Sequence, residues 1–357
     1  MASKYNWIEG KSIEQLQTTA KLTGMKKVVG MPDLHPGRGN PIGAAFYSEK
    51  VIYPYLVGGD IGCGMGLWQT DLKVKKARRD KWVKKIVDMD STWSGDHGAF
   101  IKEFGLPEWD DALGTIGGGN HFAELQKIDQ VVDEDVFVNS GLDKNFLQLM
   151  VHSGSRGLGQ LVLKSHVEKY GAAGLSEDMP EFSKYLEKHD FALNWAIANR
   201  ALIARRFLNS IHGDGQCITD MCHNSVSSCG SGWLHRKGAA PADIDLVLIP
   251  GSRGSLSYIV KPIGSQQENC YSLAHGAGRK YHRHDCRGRF REKFSVKDLQ
   301  QTSLGSSVIC ENKDLLYEEA PQAYKDIDVV IDDMVQFGVI KVVASLKPLI
   351  TYKTRRR

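Results

Sequence analysis

The sequence predicts an α+β fold: one large domain over residues 1–357, with a mixed or antiparallel β core, long glycine-rich loops and flanking helices. Three observations predict it. Short β-type apolar runs recur without the regular strand–helix alternation that a parallel sheet requires. Glycine supplies 37 of the 357 residues, about a tenth against an ordinary ~7%, and the glycines gather beside His, Asn, Asp and Arg. One segment, Pro180 to Leu208, keeps aliphatic and aromatic residues at helical spacing over its whole length.

Taken in order, Glu14 to Leu22 reads as a short helix. KVVGMPDLHPGRGNPIGAAFYSE reads as strand, long loop, strand. VIYPYLVGGDIGCGMGLWQT gives an apolar stretch, a glycine break from Gly58 to Gly66, and a further strand. Val74 to Met89 spaces apolar residues among lysines and predicts an amphipathic helix. GTIGGGNHFAELQ and FLQLMVHSGSRGLGQ set apolar residues around glycine loops. Asp243 to Pro250 and Ser257 to Ile263 read as strands, Tyr324 to Phe337 as a helix, and VIKVVASLKPLITYK as a closing strand, with the helices clustered after residue 160.

With 41% hydrophobic and 25% charged residues the chain can bury a sizeable core, which excludes a disordered or fibrous class. The net charge of +4 permits an anionic partner without requiring one. The basic residues are concentrated in Lys73 to Lys85, in Arg279 to Lys293 and in Arg355–Arg357; solvated helix faces and a solubilising tail are the plain alternative for the first run and the tail. Seven cysteines, a start without a basic and apolar leader, and no apolar run near the ~20 residues of a bilayer span predict reduced thiols in a cytoplasmic protein with no membrane partner.

Five segments, four of them built on glycine, carry the chemistry. They are VGGDIGCG with Asp60 and Cys63, GGGNHFAE with Asn120, His121 and Glu124, VHSGSRG with His152 and Arg156, DMCHNS with His223 and Asn224, and SLAHGAGR with His275. Singly, each histidine is more often a structural residue than a ligand. Together, one Asp, one Cys and three His offer oxygen, sulfur and nitrogen donors that suit zinc-like or manganese-like ions, and shared ligands could hold two. Two such ions are a standard arrangement for displacement at phosphorus. His275 itself stays open between core residue, ligand and nucleophile. There is no GxxxxGK[ST] loop, no strand–helix setting for GTIGGGNH, no KxDG and no CxxC pair, so P-loop, dinucleotide, lysine-nucleophile and zinc-knuckle sites are poorly supported.

The ordered set MPDLHPGRGNPIG, GGDIGCG, GTIGGGNHFAE, VHSGSRGLG, HRKGA, IPGSRGSLSYIV, SLAHGAGR and YEEAPQAYKDID resembles the RtcB family of RNA ligases, over about residues 30 to 353. The resemblance implies a GTP- and metal-dependent enzyme that joins RNA ending in a 3′-phosphate or 2′,3′-cyclic phosphate to RNA with a 5′-hydroxyl. It implies that His275 becomes guanylylated and passes GMP to the RNA end. It assigns two Mn²⁺ ions, with Zn²⁺ or Co²⁺ as alternatives, to Asp60, Cys63, His121, His152 and His223. It assigns the guanylate to Asn120, Phe122, Glu124, Asn224, Pro250, Gly251, Ser252, Arg253, Ser257, His275, Gly276, Ala277, Gly278, Arg279 and Lys353, with Gly276 and Gly278 as clearance and Arg279 as a phosphate contact. Arg156 and Arg283 are its RNA contacts. A short bacterial branch of the family accompanies release-factor-like proteins, and some relatives use an activating protein; either kind of partner is an expectation here. The sequence departs from the family pattern at Arg253, where methionine is common, at Tyr281 and His282, and at the three arginines after Thr354. Two other readings use the same residues: a metal-dependent phosphodiesterase that opens cyclic ends without joining them, and a non-catalytic RNA-binding subunit.

Overall fold

The computed structural model describes residues 1–356. Its centre is a mixed sheet of eight strands. Along the main path these run Val247–Ile249, Ser257–Pro262, Ile340–Thr354, Phe122–Val131, Phe146–Ser153, Gly64–Lys73 and Gly215–Cys222. Ser307–Cys310 joins Ile340–Thr354 in the one parallel pairing, and the rest are antiparallel. A second sheet of four antiparallel strands orders Met25–His35, Ile42–Ser48, Gly232–Lys237 and Asn224–Cys229.

Burial on both faces explains why the central strands read as near-continuous apolar runs. The largest apolar cluster draws Met31, Ala45 and Leu234 from the small sheet and Met65, Leu67 and Met150 from the large one. Across the large sheet, Leu125, Leu149 and Val151 pack under Ile203 and Phe207 of the long helix Pro180–Ser210. That helix, both strands of the 25–48 hairpin and the closing strand match expectation.

Four expectations are corrected. The first helix spans Gly10–Thr19, earlier than its apolar pattern suggests, and several short helices precede residue 160. The segment after Val74 is a single 3₁₀ turn followed by a short helix, Arg79–Lys85, not one helix to Met89. Tertiary contacts override the periodicity there. Ile86 and Met89 leave the helix to pack beneath the sheet, Met89 O accepts from Ile116 N, and Arg355 donates to Val83 O and Ile86 O. Hence Arg355 is not a solubilising tail; it caps a helix end, and Arg356 donates to Asp90 O. Arg357 lies outside the described residues. Among the described residues no helix is long and apolar enough to cross a membrane, and all seven cysteines are free.

Candidate active site

Antiparallel neighbours place the end of one strand beside the start of the next, and this brings the donors to one edge of the sheet. His121 immediately precedes Phe122–Val131, His152 is near the end of Phe146–Ser153, Cys63 precedes Gly64–Lys73, and His223 follows Gly215–Cys222. The register is direct: Phe122 faces His152, Gly64 faces Ser153, and Gly64 faces Cys222 on its other side. Strands ~4.8 Å apart therefore set the donors in one row without help from loop conformation.

The donor atoms crowd one another. Cys63 Sγ lies 3.4 Å from His121 Nε2 and 3.2 Å from His152 Nε2. His121 Nε2 is 3.0 Å from Asp60 Oδ2, and His152 Nε2 is 3.3 Å from His223 Nε2. Cys63, His121 and His152 converge closely enough to hold one ion, with Asp60 and His223 at its two sides. His121 Nδ1 is taken by Ile116 O at 3.2 Å, which leaves Nε2 for a cation, the usual orienting contact of a ligating imidazole. Burial holds His152 and His223 well below the ordinary imidazole range, so both stay neutral with a lone pair to donate. Burial, then the Asp60 charge, pushes the Cys63 thiol well up, so a bound cation must displace its proton. Mixed S, N and O donors of this kind fit a borderline divalent ion.

Two devices lock the row. Gly154 lets the His152 strand end pass the Asp60 loop, since a Cβ there would meet Asp60 Oδ1 at 2.2 Å. Arg200, wholly buried on the long helix, donates from Nη1 to Gly62 O at 2.7 Å and Ser153 O at 2.9 Å, the carbonyls beside Cys63 and His152. Its Nε and Nη2 engage the Asp220 carboxylate on the strand that leads to His223.

His275 stands next to this cluster, its ring 4.8 Å from that of His223. It follows the short strand Ser272–Ala274. Asp33, fully buried at the end of Met25–His35, accepts from His275 N at 3.1 Å and from Nδ1 at 2.6 Å. A carboxylate at Nδ1 fixes the proton there and leaves Nε2 as the free nucleophilic nitrogen. Gly278, at φ +71°, makes room for this contact: a Cβ would strike Asp33 O at 2.2 Å. Gly278 thus gives clearance to the protein's own backbone.

A cavity of about 220 Å³ opens beside His275 and His152. Asn120, Phe122, Glu124, Pro250, Gly251, Ser252, Arg253, Gly276, Ala277, Gly278, Arg279, Arg283 and Lys353 all line it. Asn224 and Ser257 are not among its lining residues. Asn224 ties Gly238 N and Asp60 O together, and Ser257 Oγ accepts from Gly251 N and Gln126 Nε2, so both brace the walls. Arg156 also lies outside the lining, its Nε donating to Thr115 Oγ1 at 3.3 Å. Arg279 lines the cavity but its guanidinium is spent on Glu319, Tyr324, Glu318 O and Tyr281 O, which leaves little for a phosphate.

Sequence reasoning missed Asp33, His35, Ile42, Glu319, Tyr324 and Thr351. Asp33 and His35 stand in MPDLHPG, and Glu319 and Tyr324 in YEEAPQAY. Thr351 is two residues from Lys353, so strand alternation alone puts both on one face. Burial pushes His35 down to about 4 and Glu124 up to about 7. Lys353, buried with Nζ on Gly119 O, is lowered by burial to about 8.

Comparison with known proteins decides the family. The profile described as tRNA-splicing ligase RtcB matches residues 15–99 and 90–354. The chain belongs to the RtcB family. It is 49% identical to the RNA-splicing ligase RtcB2 of Escherichia coli over 361 residues, which cover 99% of this chain and 94% of that protein. It is 29% identical to the tRNA-splicing ligase RtcB of Archaeoglobus fulgidus over 445 residues, 96% of this chain and 91% of the relative. The RNA-splicing ligase RtcB of Mycobacterium bovis is 27% identical, over 94% of this chain and 99% of its own length. RtcB ligases are metal-dependent, and the Cys63–His121–His152 group could hold the ion.

Proposed function

We propose that the chain is an RNA ligase of RNA repair or splicing, acting as one catalytic unit on RNA 3′-phosphate or 2′,3′-cyclic phosphate ends and 5′-hydroxyl ends with GTP as co-substrate. The observation that carries this reading is the placement of His275: its Nδ1 is held by Asp33 and its ring abuts the donor row at the mouth of a nucleotide-sized cavity. Nε2 of His275 attacks the α-phosphorus of GTP, an N–P bond forms, and the α–β bridging P–O bond breaks as pyrophosphate leaves. Asp33 accepts from Nδ1–H throughout and stabilises the positive charge that grows on the ring. GMP then moves to the RNA 3′-phosphate, and the 5′-hydroxyl displaces it. Divalent cations, two Mn²⁺ on Asp60, Cys63, His121, His152 and His223, supply charge neutralisation at the phosphate oxygens when bound.

Asn120, Phe122, Glu124 and Lys353, with the Pro250–Arg253 and Gly276–Gly278 turns, form the guanylate pocket in this reading. Arg283 and Arg156 serve RNA phosphates. The reaction is placed in the cytoplasm, where the free thiols match a reducing compartment. A phosphodiesterase without joining activity would leave the Asp33–His275 pair without a use, which is why the ligase is preferred.

The test is a covalent adduct. Protein incubated with α-labelled GTP and Mn²⁺ is expected to carry acid-labile, alkali-stable label, and His275→Ala to carry none. A folded, metal-loaded wild type that takes no label would sink the ligase reading.

A further inference from the structure

The strand that presents Asp33 loses its pairing where Asp33 sits. Met25–His35 and Ile42–Ser48 stay paired up to Gly30, opposite Ala44, and resume only at His35, opposite Ile42. Buried carbonyls in such a gap need donors from elsewhere. Asn6 Nδ2 donates to Pro32 O at 2.9 Å. The ammonium of Lys325 donates to Pro32 O at 3.1 Å and to Leu34 O at 2.8 Å. These carbonyls belong to the two residues on either side of Asp33.

Lys325 also holds the other member of the pair. Its main-chain N donates to Gly278 O at 3.0 Å, three residues beyond His275. Lys280 N donates to Ala323 O at 2.8 Å, and Arg279 and Tyr324 form an antiparallel bridge, so Ala323 to Lys325 is laced to the turn after His275. One residue, 7% exposed, thus spans the Asp33–His275 contact: its side chain holds the Asp33 strand and its backbone holds the His275 turn. Arg200 treats the carbonyls beside Cys63 and His152 in the same way. Burying an ammonium is costly without compensation. Asp33 and Asp333 face this one and favour its charge, while His35 beside it is neutral above about 4. Burial lowers the amine to about 8, which leaves it protonated at neutral pH.

Resting on the reading of His275 as the residue that takes up GMP, we propose that Lys325 is a positioning residue, which fixes the Asp33 carboxylate against His275 Nδ1 by clamping the Pro32 and Leu34 carbonyls to the turn after His275. Lys325 does not line the cavity, so it acts through Asp33 and not on the nucleotide. Without the clamp the unpaired stretch of strand shifts, and the 2.6 Å contact is lost together with the tautomer it fixes.

Two measurements on the whole chain test this. One is the single-turnover rate of adduct formation with α-labelled GTP and Mn²⁺ over a range of GTP concentrations. The other is the downfield proton resonance of His275 Nδ1–H in the metal-free chain, assigned by its absence from His275→Ala. Lys325→Met keeps the aliphatic length and removes the ammonium. It is expected to form adduct ~10²-fold more slowly at saturating GTP, the scale of a small misplacement at a reacting group. Its half-saturating GTP concentration should be that of wild type, and the resonance should be shifted or lost. Lys325→Gln, which keeps a shorter neutral donor, is expected to lose less of each, and it serves alone if melting curves show that Lys325→Met has not folded. A folded variant that keeps the rate and the resonance of wild type would overturn the assignment. So would a slower rate with the resonance in place, or one that higher GTP restores. A wild type that takes no label would refute the ligase chemistry, while the resonance still decides Lys325.

Discussion

The two halves of the site are held in place by different means. On the donor side, Cys63, His121, His152 and His223 sit at adjacent strand ends of one sheet, and backbone register fixes them. On the nucleotide side two strands of that sheet supply Phe122, Glu124, Thr351 and Lys353, and the remaining walls are loops and short helices joined by side chains. There Glu319 gathers Arg279, Arg283 and Tyr324, while Asp314 pairs with Arg287 and Arg291. Main-chain register tolerates little change, because a one-residue slip moves every side chain to the other face. Side-chain pairing can be rewired locally. The departures from the family pattern at Arg253, Tyr281 and His282 all fall on the second half, which is where such rewiring is cheap.

The sharpest break of this comparison is at the seam between the halves. Asp33→Asn leaves the shape of the contact but permits the wrong tautomer of His275, and adduct formation is expected to fall by up to ~10⁴-fold. Metal content by mass spectrometry should be unchanged, since Asp33 touches no donor. Loss of metal together with label would instead mean that Asp33 supports the donor row.

Next in size is the clamp on the donor side. Arg200→Met strips the carbonyls of Gly62 and Ser153 and leaves Asp220 buried without its partner. Metal affinity is expected to drop by ~10–100-fold, as for loss of an outer partner of a metal ligand. Stability should fall by ~3–5 kcal/mol, as for a broken buried ion pair. Urea titration and metal titration report the two separately, and a variant that binds metal as wild type does would show that register alone suffices.

The smallest effect belongs to the nucleotide side. Burial raises Glu124 to about 7 and lowers Lys353 to about 8. In the proposed guanylate reading Glu124 acts ionised and Lys353 protonated, so affinity should be greatest between those values and decline severalfold below about 7, where Glu124 gains a proton. The same shift acts oppositely on folding. A carboxyl raised above its unfolded value contributes stability at low pH, and that contribution is lost as pH rises from the ordinary carboxyl value of 4.5 through about 7. Glu124→Gln should flatten the acid limb of the binding profile; an unchanged limb would exclude Glu124 as the titrating group.

How much of this was legible follows the same division. The convergence of Asp60, Cys63, His121 and His152 was readable because each stands in or beside a glycine turn; His223, in DMCHNS, was grouped with them by residue type alone. The antiparallel core followed from the lack of strand–helix alternation. Asp33, Glu319 and Thr351 were not readable as site residues, because their meaning lies in a partner far along the chain: Asp33 meets His275 across 242 positions and Thr351 meets Glu124 across 227. Arg279 was over-read, since an arginine after a glycine turn looks like a phosphate contact until Glu319 is seen beside it. The broken helix after Val74 was lost because its carbonyls are capped by Arg355, and no local pattern announces a cap that arrives from the other end.

Ile340–Thr354 has one more consequence. This strand lies inside the large sheet, between Ser257–Pro262 and Phe122–Val131, and yet it is the last strand in the chain. A chain synthesised from its N-terminus therefore holds Phe122–Val131 with an open hydrogen-bonding edge until the last strand arrives. Such an edge is a template for wrong pairing. The sheet closes only by contacts of long sequence separation, which makes folding slow and places the burial of Lys353 among its final events. The donor row and the cavity wall that carries Lys353 thus meet only after Ile340–Thr354 has been made.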